Sequence, residues 1–433
     1  MKTVAFHTLG CKVNQYETEA MEELFENRGY SIKDISEKAD IYVINTCTVT
    51  NVSDRKSRQF IRKSKKKNTD AIIAVVGCYS QVSPEEVEEI QDVDIIVGTS
   101  ERNRIVDLCE EFIENPNRIN IVKNIKTNKE FEDININEIK SKTRAYVKIQ
   151  DGCNQFCSYC IIPYARGTIR SRAKENIINE AKRLAKAGFK ELVLTGIHLA
   201  SYGKDLKNED LLEVIKELTE IDEIERIRLS SVEPSLIDKE FLETAIESKK
   251  VCDHFHLSLQ SGSDTVLKRM NRKYSSDYFR SRVNLIRKYM PNAGITTDII
   301  VGFPGETEEE FKATYEFVKE IGFSKIHVFK YSKRQGTPAY DYENHLDSNI
   351  KNRRSASLIA LGDQLAEEFL KKYIGLKLDV LYEEEYNKDN GEFQGYTTNY
   401  IRVRGKAPYD VNRKIITTEL LDNNNDILVG RVL

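Results

Sequence analysis

Between residues 144 and 370 the chain alternates a short apolar strand with an amphipathic helix, six times over. Candidate strands are Ala145–Ile149, Glu191–Thr195, Arg226–Ser230, His254–Leu259, Ile295–Val301 and Lys325–Lys330. Helices such as Glu175–Ala187, Asp210–Thr219 and Glu308–Ile321 fill the gaps. This period predicts a parallel sheet curled into a partial, TIM-like (βα)6 barrel, with its chemistry at the C-terminal strand ends. Asn349–Lys372 reads as a longer helix leading out of it.

The flanking regions have other periods. Up to about residue 130, the apolar runs Thr3–Leu9, Ile41–Asn45, Ala71–Val76 and Asp94–Val97 read as buried parallel strands. Tyr16–Asn27 and Val52–Lys67 read as helices between them, a doubly wound α/β layout. Residues 115–143 are polar and rich in Asn and Lys, as a linker would be. From residue 371 to 433 the pattern has period two. Leu378–Glu384, Glu392–Thr397, Tyr400–Arg404, Lys414–Leu420 and Asp426–Val432 read as five strands of a small antiparallel barrel of a nucleic-acid-binding type. The expected units are thus 1–130, 140–370 and 371–433.

A chain of 433 residues with 40% hydrophobic content can bury several cores. No window is apolar enough to span a membrane, and the N-terminus lacks the features of a secretory signal, so a cytoplasmic location is expected. The eight cysteines are then thiols rather than structural disulfides. Net charge is −3, but residues 55–67 hold eight basic side chains and no acidic one. That run is either a solvated helix face or a phosphate-binding patch.

The cysteines carry the chemistry. Cys153, Cys157 and Cys160 stand in a CxxxCxxC loop, DGCNQFCSYCIIPYARG, just after the first barrel strand. Three thiolates in so compact a loop suit an iron–sulfur cluster with one iron left open. Structural zinc is the alternative and needs a fourth protein ligand, from Cys252 or a histidine. Cys11, Cys47 and Cys78 each follow a strand of the first region, so an open parallel sheet would gather them along one edge. Each could instead be a small buried hydrophobe.

On these motifs the chain resembles the radical S-adenosylmethionine superfamily, and over its whole length the methylthiotransferases within it. The resemblance implies two 4Fe-4S clusters, one on Cys153, Cys157 and Cys160, and an auxiliary one on Cys11, Cys47 and Cys78. It implies that S-adenosylmethionine binds at the first, where Tyr159 would lie beside adenine and Thr195 and Gly196 would flank the methionine. Ser231 and Glu233 (SSVEP), Ser258 and Gln260 (HLSLQSGSD), and Gly302 with Pro304 and Gly305 (DIIVGFPGET) would complete the pocket. Arg166, Arg170 and Arg172 would hold anionic groups of substrate or cofactor, or are surface charge. Cys109 and Cys252 fall outside the pattern. The implied reaction uses one S-adenosylmethionine as methyl donor and a second as the source of a 5′-deoxyadenosyl radical, inserting a methylthio group at an unactivated C–H.

HTLGCKVNQYETE looks most like the branch acting on N6-threonylcarbamoyladenosine at position 37 of tRNA. The implied partners are a tRNA anticodon loop, an electron donor such as flavodoxin or ferredoxin, and a sulfur source. Isopentenyladenosine-37, a ribosomal protein, or RNA binding without catalysis are the alternatives.

Overall fold

The strands that were expected to be buried on both faces are the middle of a six-stranded parallel sheet. The computed structural model describes residues 2–134, 136, 143–207, 209–387 and 391–433. Its first strands are β1 (Thr3–Thr8), β2 (Ser31–Lys33), β3 (Ile41–Thr46), β4 (Ile72–Gly77), β5 (Ile95–Ile96) and β6 (Ile119–Asn120). They are ordered β2-β1-β3-β4-β5-β6. Every residue of β3 and β4 is buried, because helices cover both faces. Two apolar clusters, one on each side of this sheet, hold the helices to it.

Helix α1 (Lys12–Asn27) begins directly after Cys11, a turn before the expected Tyr16. Helix α2 (Asn51–Lys67) is capped by Thr50, whose side chain accepts from the Ser53 N–H. Its last turn carries Lys65, Lys66 and Lys67, where cations complement the helix dipole. A short helix, α3 (Cys78–Val82), follows β4.

The second region forms the expected partial barrel. Its strands are β7 (Arg144–Asp151), the two-residue β8 (Arg170–Ser171), β9 (Glu191–Gly196), β10 (Arg226–Leu229), β11 (Ser231–Val232), β12 (His254–Leu257), β13 (Gly294–Val301) and β14 (Lys325–Lys330). The third expected strand, Arg226–Ser230, ends at Leu229 as β10, and the separate short strand β11 begins just past Ser230. One sheet therefore runs β10-β9-β7-β8 and the other β11-β12-β13-β14. A single large apolar cluster fills the space between these strands and their helices. Residues 137–142 of the expected linker lie outside the described residues.

The C-terminal strands β15 (Lys377–Asn387), β16 (Glu392–Tyr396), β17 (Arg402–Lys406), β18 (Ile415–Asn424) and β19 (Ile427–Val432) close into a barrel in the order β15-β16-β17-β19-β18. One expectation is corrected here, since β17 and β19 pair in parallel. A ring with an odd number of strands cannot alternate direction throughout, so one neighbouring pair must run parallel. This barrel docks on the N-terminal ends of the partial-barrel strands. The Arg226 guanidinium donates to the carbonyls of Tyr396 and Asp379, and that of Arg228 to those of Thr397 and Thr398.

Candidate functional site

Because β1, β3 and β4 are parallel neighbours, their C-terminal ends share one edge. Cys47 and Cys78 follow β3 and β4 directly, and Cys11 lies three residues past the end of β1. Gly10 has φ +122°, and a Cβ there would lie 3.1 Å from the Cβ of Cys47. Asn14 ties the loops together: its amide nitrogen donates to the carbonyls of Leu9, 2.8 Å, and Thr46, 2.9 Å. Cys11 is exposed, Cys47 and Cys78 are buried. Burial pushes the Cys78 thiol up to about 12, against the pull of the Arg166 guanidinium. Burial also raises Cys47, opposed by the N–H of Val49. The three thiols lie within each other's electrostatic reach.

The second triad follows β7. Gly152, at φ +71°, sits where a Cβ would lie 1.8 Å from the carbonyl oxygen of Thr168. Gly152→Ala is therefore expected to cost more than about 1 kcal/mol. The melting temperature should fall by roughly 2 °C or more, read by circular dichroism. Beyond it, the Cys153 N–H donates to Gly167 O and the Gln155 N–H lies 3.5 Å from the Cys153 sulfur. The Cys160 N–H donates to Cys157 O. Burial raises Cys153 to about 11 and Cys160 to about 12, and each thiol feels the Cys157 sulfur.

Arg272, which carried no sequence signal, places Nη1 3.2 Å from the Cys157 sulfur. Its Nη2 lies 3.6 Å from Glu233 Oε1. Glu233 also accepts from Gln155 and lies 3.1 Å from His198 Nε2. Burial opposes ionisation of Glu233, but His198 and Arg272 outweigh it and hold the carboxyl below its ordinary value. The other ring nitrogen of His198 meets Ser201 Oγ at 2.7 Å. Cys252 lies at the opposite end of the barrel, where its N–H pairs with Ile227 O and its thiol feels Arg228. Neither of these residues is free to be a fourth ligand of the loop cysteines.

The remaining expected pocket residues ring the same mouth. Thr195 and Gly196 end β9, and Ser231 is exposed on β11. The Ser258 carbonyl accepts from Arg272 and Tyr274. Gln260 has φ +73° and exchanges backbone hydrogen bonds with Asp298 and Ile300 across β13. Tyr159 packs edge-on to Phe303 at 6.5 Å. The Gly302 N–H donates to Glu306, which Arg354 pairs at 2.6 Å, while Gly305 donates to Asn344 O and Pro304 lies between.

Arg166, Arg170 and Arg172 are buried, with their guanidinium groups facing carboxylates of this chain. Arg166 binds Glu17 and Asp151 at 2.8 and 3.1 Å, Arg170 lies 3.6 Å from Asp151, and Arg172 pairs with Asp133 and Glu180. Glu17 belongs to α1 and Asp151 to β7, so Arg166 joins the two regions and lies electrostatically beside Cys78. Arg334, beyond β14, makes the matching junction on the other flank, reaching Asp54 and Thr48 just past Cys47. Arg166 and Arg334 thus tie the two regions together beside Cys78 and Cys47. Inside the barrel, His256, Asp298 and His327, on three adjacent strands, bring ligand atoms within 4.8 Å of one another. Arg55, Lys56, Arg62, Lys63 and Lys66 of α2 are exposed, on a helix that starts at the Cys47 loop.

Residues 147–318 match the radical SAM superfamily, and residues 3–98 match a family described as uncharacterized protein family UPF0004. The chain is 49% identical over 424 residues to the threonylcarbamoyladenosine tRNA methylthiotransferase MtaB of Bacillus subtilis (strain 168), spanning 97% of this chain and 94% of that protein. The MtaB of Aquifex aeolicus (strain VF5) is 40% identical, spanning 95% and 98%. A tRNA-2-methylthio-N(6)-dimethylallyladenosine synthase of Alkaliphilus oremlandii (strain OhILAs) is 35% identical, spanning 98% and 92%. Among solved structures, the radical S-adenosylmethionine methyltransferase TsrM of Kitasatospora setae shares the fold, with a TM-score of 0.59 at 14% identity over 78% of this chain and 74% of that one.

Proposed function

Because the chain belongs to the methylthiotransferases of the radical S-adenosylmethionine superfamily, we propose that it places a methylthio group on carbon 2 of N6-threonylcarbamoyladenosine at position 37 of tRNA. The observation that carries this reading is the 49% identity to a threonylcarbamoyladenosine tRNA methylthiotransferase across 97% of the chain. In this reading residues 1–130 hold the auxiliary cluster, 140–370 the radical chemistry, and 371–433 the RNA-binding barrel.

The donor sets fit the groups the family uses. Three thiols per site would leave one iron of a 4Fe-4S cluster open. The backbone N–H of Gln155 at Cys153 and the guanidinium of Arg272 at Cys157 point donors at two of the sulfurs. Cys153, Cys157 and Cys160 would hold one cluster and Cys11, Cys47 and Cys78 the other. When bound, the clusters and S-adenosylmethionine supply the electron, the carbon radical and the sulfur; the protein positions and shields them.

The chain's own residues do the rest. Tyr159, Thr195, Gly196, Ser231, Glu233, Ser258, Gln260 and Gly302 surround the open side of the Cys153 loop, where S-adenosylmethionine would lie. Glu233, kept ionised by His198 and Arg272, is an acceptor for a ribose hydroxyl or the methionine ammonium. The junction made by Arg166 and Arg334 fixes the two cysteine-bearing regions to one another, and in this reading the reacting carbon would meet both triads. The exposed lysines and arginines of α2 begin beside the Cys47 loop and suit the tRNA backbone, with the target base extruded between the triads. The enzyme would work in the cytoplasm with a flavodoxin- or ferredoxin-like reductant and a sulfur source.

Mass spectrometry of nucleosides from tRNA of cells lacking the gene tests this. The expected result is loss of 2-methylthio-N6-threonylcarbamoyladenosine, at least tenfold, with its unmethylthiolated precursor rising. Unchanged tRNA would sink the reading.

A further inference from the structure

Strand register puts four polar side chains on one face of the sheet β11-β12-β13-β14. His256 of β12 stands opposite Thr296 of β13, and Asp298 of β13 stands opposite His327 of β14. Side chains two residues apart on a strand share a face, so Thr296 and Asp298 join both pairs into one group across three strands. The other face belongs to the core. Ile295, Ile299 and Val301 of β13 pack there with Ile326 and Val328 of β14, against Phe317 of the helix Glu308–Ile321 and Leu358 of the helix Ser348–Lys371. The group therefore looks away from the helices, into the lumen.

Three of its members carry metal-ligand atoms. His256 Nε2 lies 3.3 Å from Asp298 Oδ2, and one such atom from each of His256, Asp298 and His327 lies within 4.8 Å of the other two. Two ligands of a tetrahedral zinc-type ion, each ~2.0–2.1 Å from it, stand roughly 3.3 Å apart. The His256–Asp298 pair already has that span. The other ring nitrogen of His256 meets Thr296 Oγ1 at 2.9 Å, and that hydroxyl lies 3.3 Å from His254 Nε2. With Nδ1–H donated to Thr296 and the hydroxyl donated on to His254, Nε2 of His256 keeps its lone pair. It then faces a carboxylate oxygen, acceptor against acceptor, and the group that satisfies both is a cation between them. Support of this kind on the far ring nitrogen is what metal-binding imidazoles receive from a neighbour. A plain ion pair of His256 with Asp298 gives no role to His327. An entry path is present as well, since β14 is the edge strand of its sheet and His327 is exposed on it.

We propose that His256, Asp298 and His327 bind one divalent ion of the iron-to-zinc series in the lumen, at a site separate from both cysteine triads. Two imidazoles and one carboxylate suit iron(II), cobalt(II), nickel(II) or zinc, whereas magnesium and calcium want oxygen ligands alone. Three protein ligands leave a coordination position open toward the lumen, as catalytic sites do and closed structural sites do not. The inference holds whichever substrate the enzyme takes.

Zinc is the probe, because it has no redox chemistry and is counted separately from cluster iron. The cluster-loaded full chain, stripped of loosely held metal, is titrated with Zn2+ without oxygen, and its metals are measured after gel filtration. The expected result is about one zinc per chain with the iron content unchanged. X-ray absorption at the zinc edge should show nitrogen and oxygen at about 2.0–2.1 Å and no sulfur at about 2.3 Å, which separates this site from any cysteine. His327→Ala and Asp298→Asn should each weaken zinc binding by about tenfold or more. Thr296→Val, which removes no ligand, should weaken it by about tenfold, and Thr296→Ser should restore it. Iron content and circular dichroism identify a variant that fails to fold, and His327→Ala, on an exposed edge strand, decides the matter if the buried positions do fail. A wild type that takes up no zinc, zinc held through sulfur, or an affinity indifferent to His327→Ala overturns the inference.

Discussion

A Cys157→Ala chain is expected to form no 5′-deoxyadenosine above background, whereas Cys47→Ala should form it and make no methylthiolated RNA. Each residue is the middle cysteine of its triad, and the distinction follows from their surroundings. Cys157 is the sulfur that Arg272 touches, and Arg272 also reaches Glu233 and the Ser258 carbonyl, so the thiol sits inside the ring of pocket residues. Cys47 precedes Thr48 and, in the first turn of α2, Asp54, both contacts of the interregion junction. Each variant should retain about four irons per chain against about eight for the wild type. The measurement is iron content with chromatographic assay of 5′-deoxyadenosine and of the nucleoside product. Methylthiolated product from Cys47→Ala would remove the auxiliary role from Cys11, Cys47 and Cys78. Cleavage by Cys157→Ala would remove the radical role from the CxxxCxxC loop.

The sequence exposes these two triads because topology converts strand position into space. Residues just past parallel strands must lie on one edge, so Cys11, Cys47 and Cys78 meet although 67 positions separate the first from the last. The same rule carries Thr195, Ser231, Ser258 and Gly302 to one mouth. Side chains placed by loops are not legible this way. Arg272 follows the helix Asp264–Arg269, on no periodic pattern, and nothing in its neighbours marks it for Cys157. Arg166, Arg170 and Arg172 show that a charge is visible in a sequence while its partner is not: Glu17 stands 149 positions from Arg166. Short elements also escape, as with the edge strands β2 and β6, which hold three and two residues and cannot display a period. The first turn of α1, Lys12 to Gln15, has one apolar residue, so periodicity places the helix start late.

Arg166→Met is expected to be the most damaging single change outside the cysteines, and to damage both triads at once. Its guanidinium holds Glu17 at 2.8 and 3.0 Å, Asp151 at 3.1 Å and the Asn14 side-chain oxygen at 2.8 Å. All four residues are buried. Methionine keeps much of the volume but leaves two carboxylates and an amide oxygen with a donor missing, a cost of about 3–5 kcal/mol. Lys148, 2.7 Å from each carboxylate, and Arg102 remain, so the fold should survive while the junction loosens. Asn14 fixes the Cys11 and Cys47 loops, and Asp151 precedes Gly152 and Cys153. Iron should therefore fall at both sites together, below about four per chain, unlike either cysteine variant. A pH signature accompanies it. Burial pushes the Glu17 carboxyl up, but Arg102, Arg166 and Lys148 outweigh it and hold it at about 2. A carboxyl depressed in the folded state stabilises fully above its unfolded value, and that stability drains away as pH falls toward the folded value. Removing Arg166 raises the folded value, so less stability is present at neutral pH. The acid transition, followed by circular dichroism and by protease sensitivity, should then move to higher pH. An unshifted acid transition with iron intact at both triads would mean that the junction is held by Lys148, Arg102 and Arg334 without Arg166.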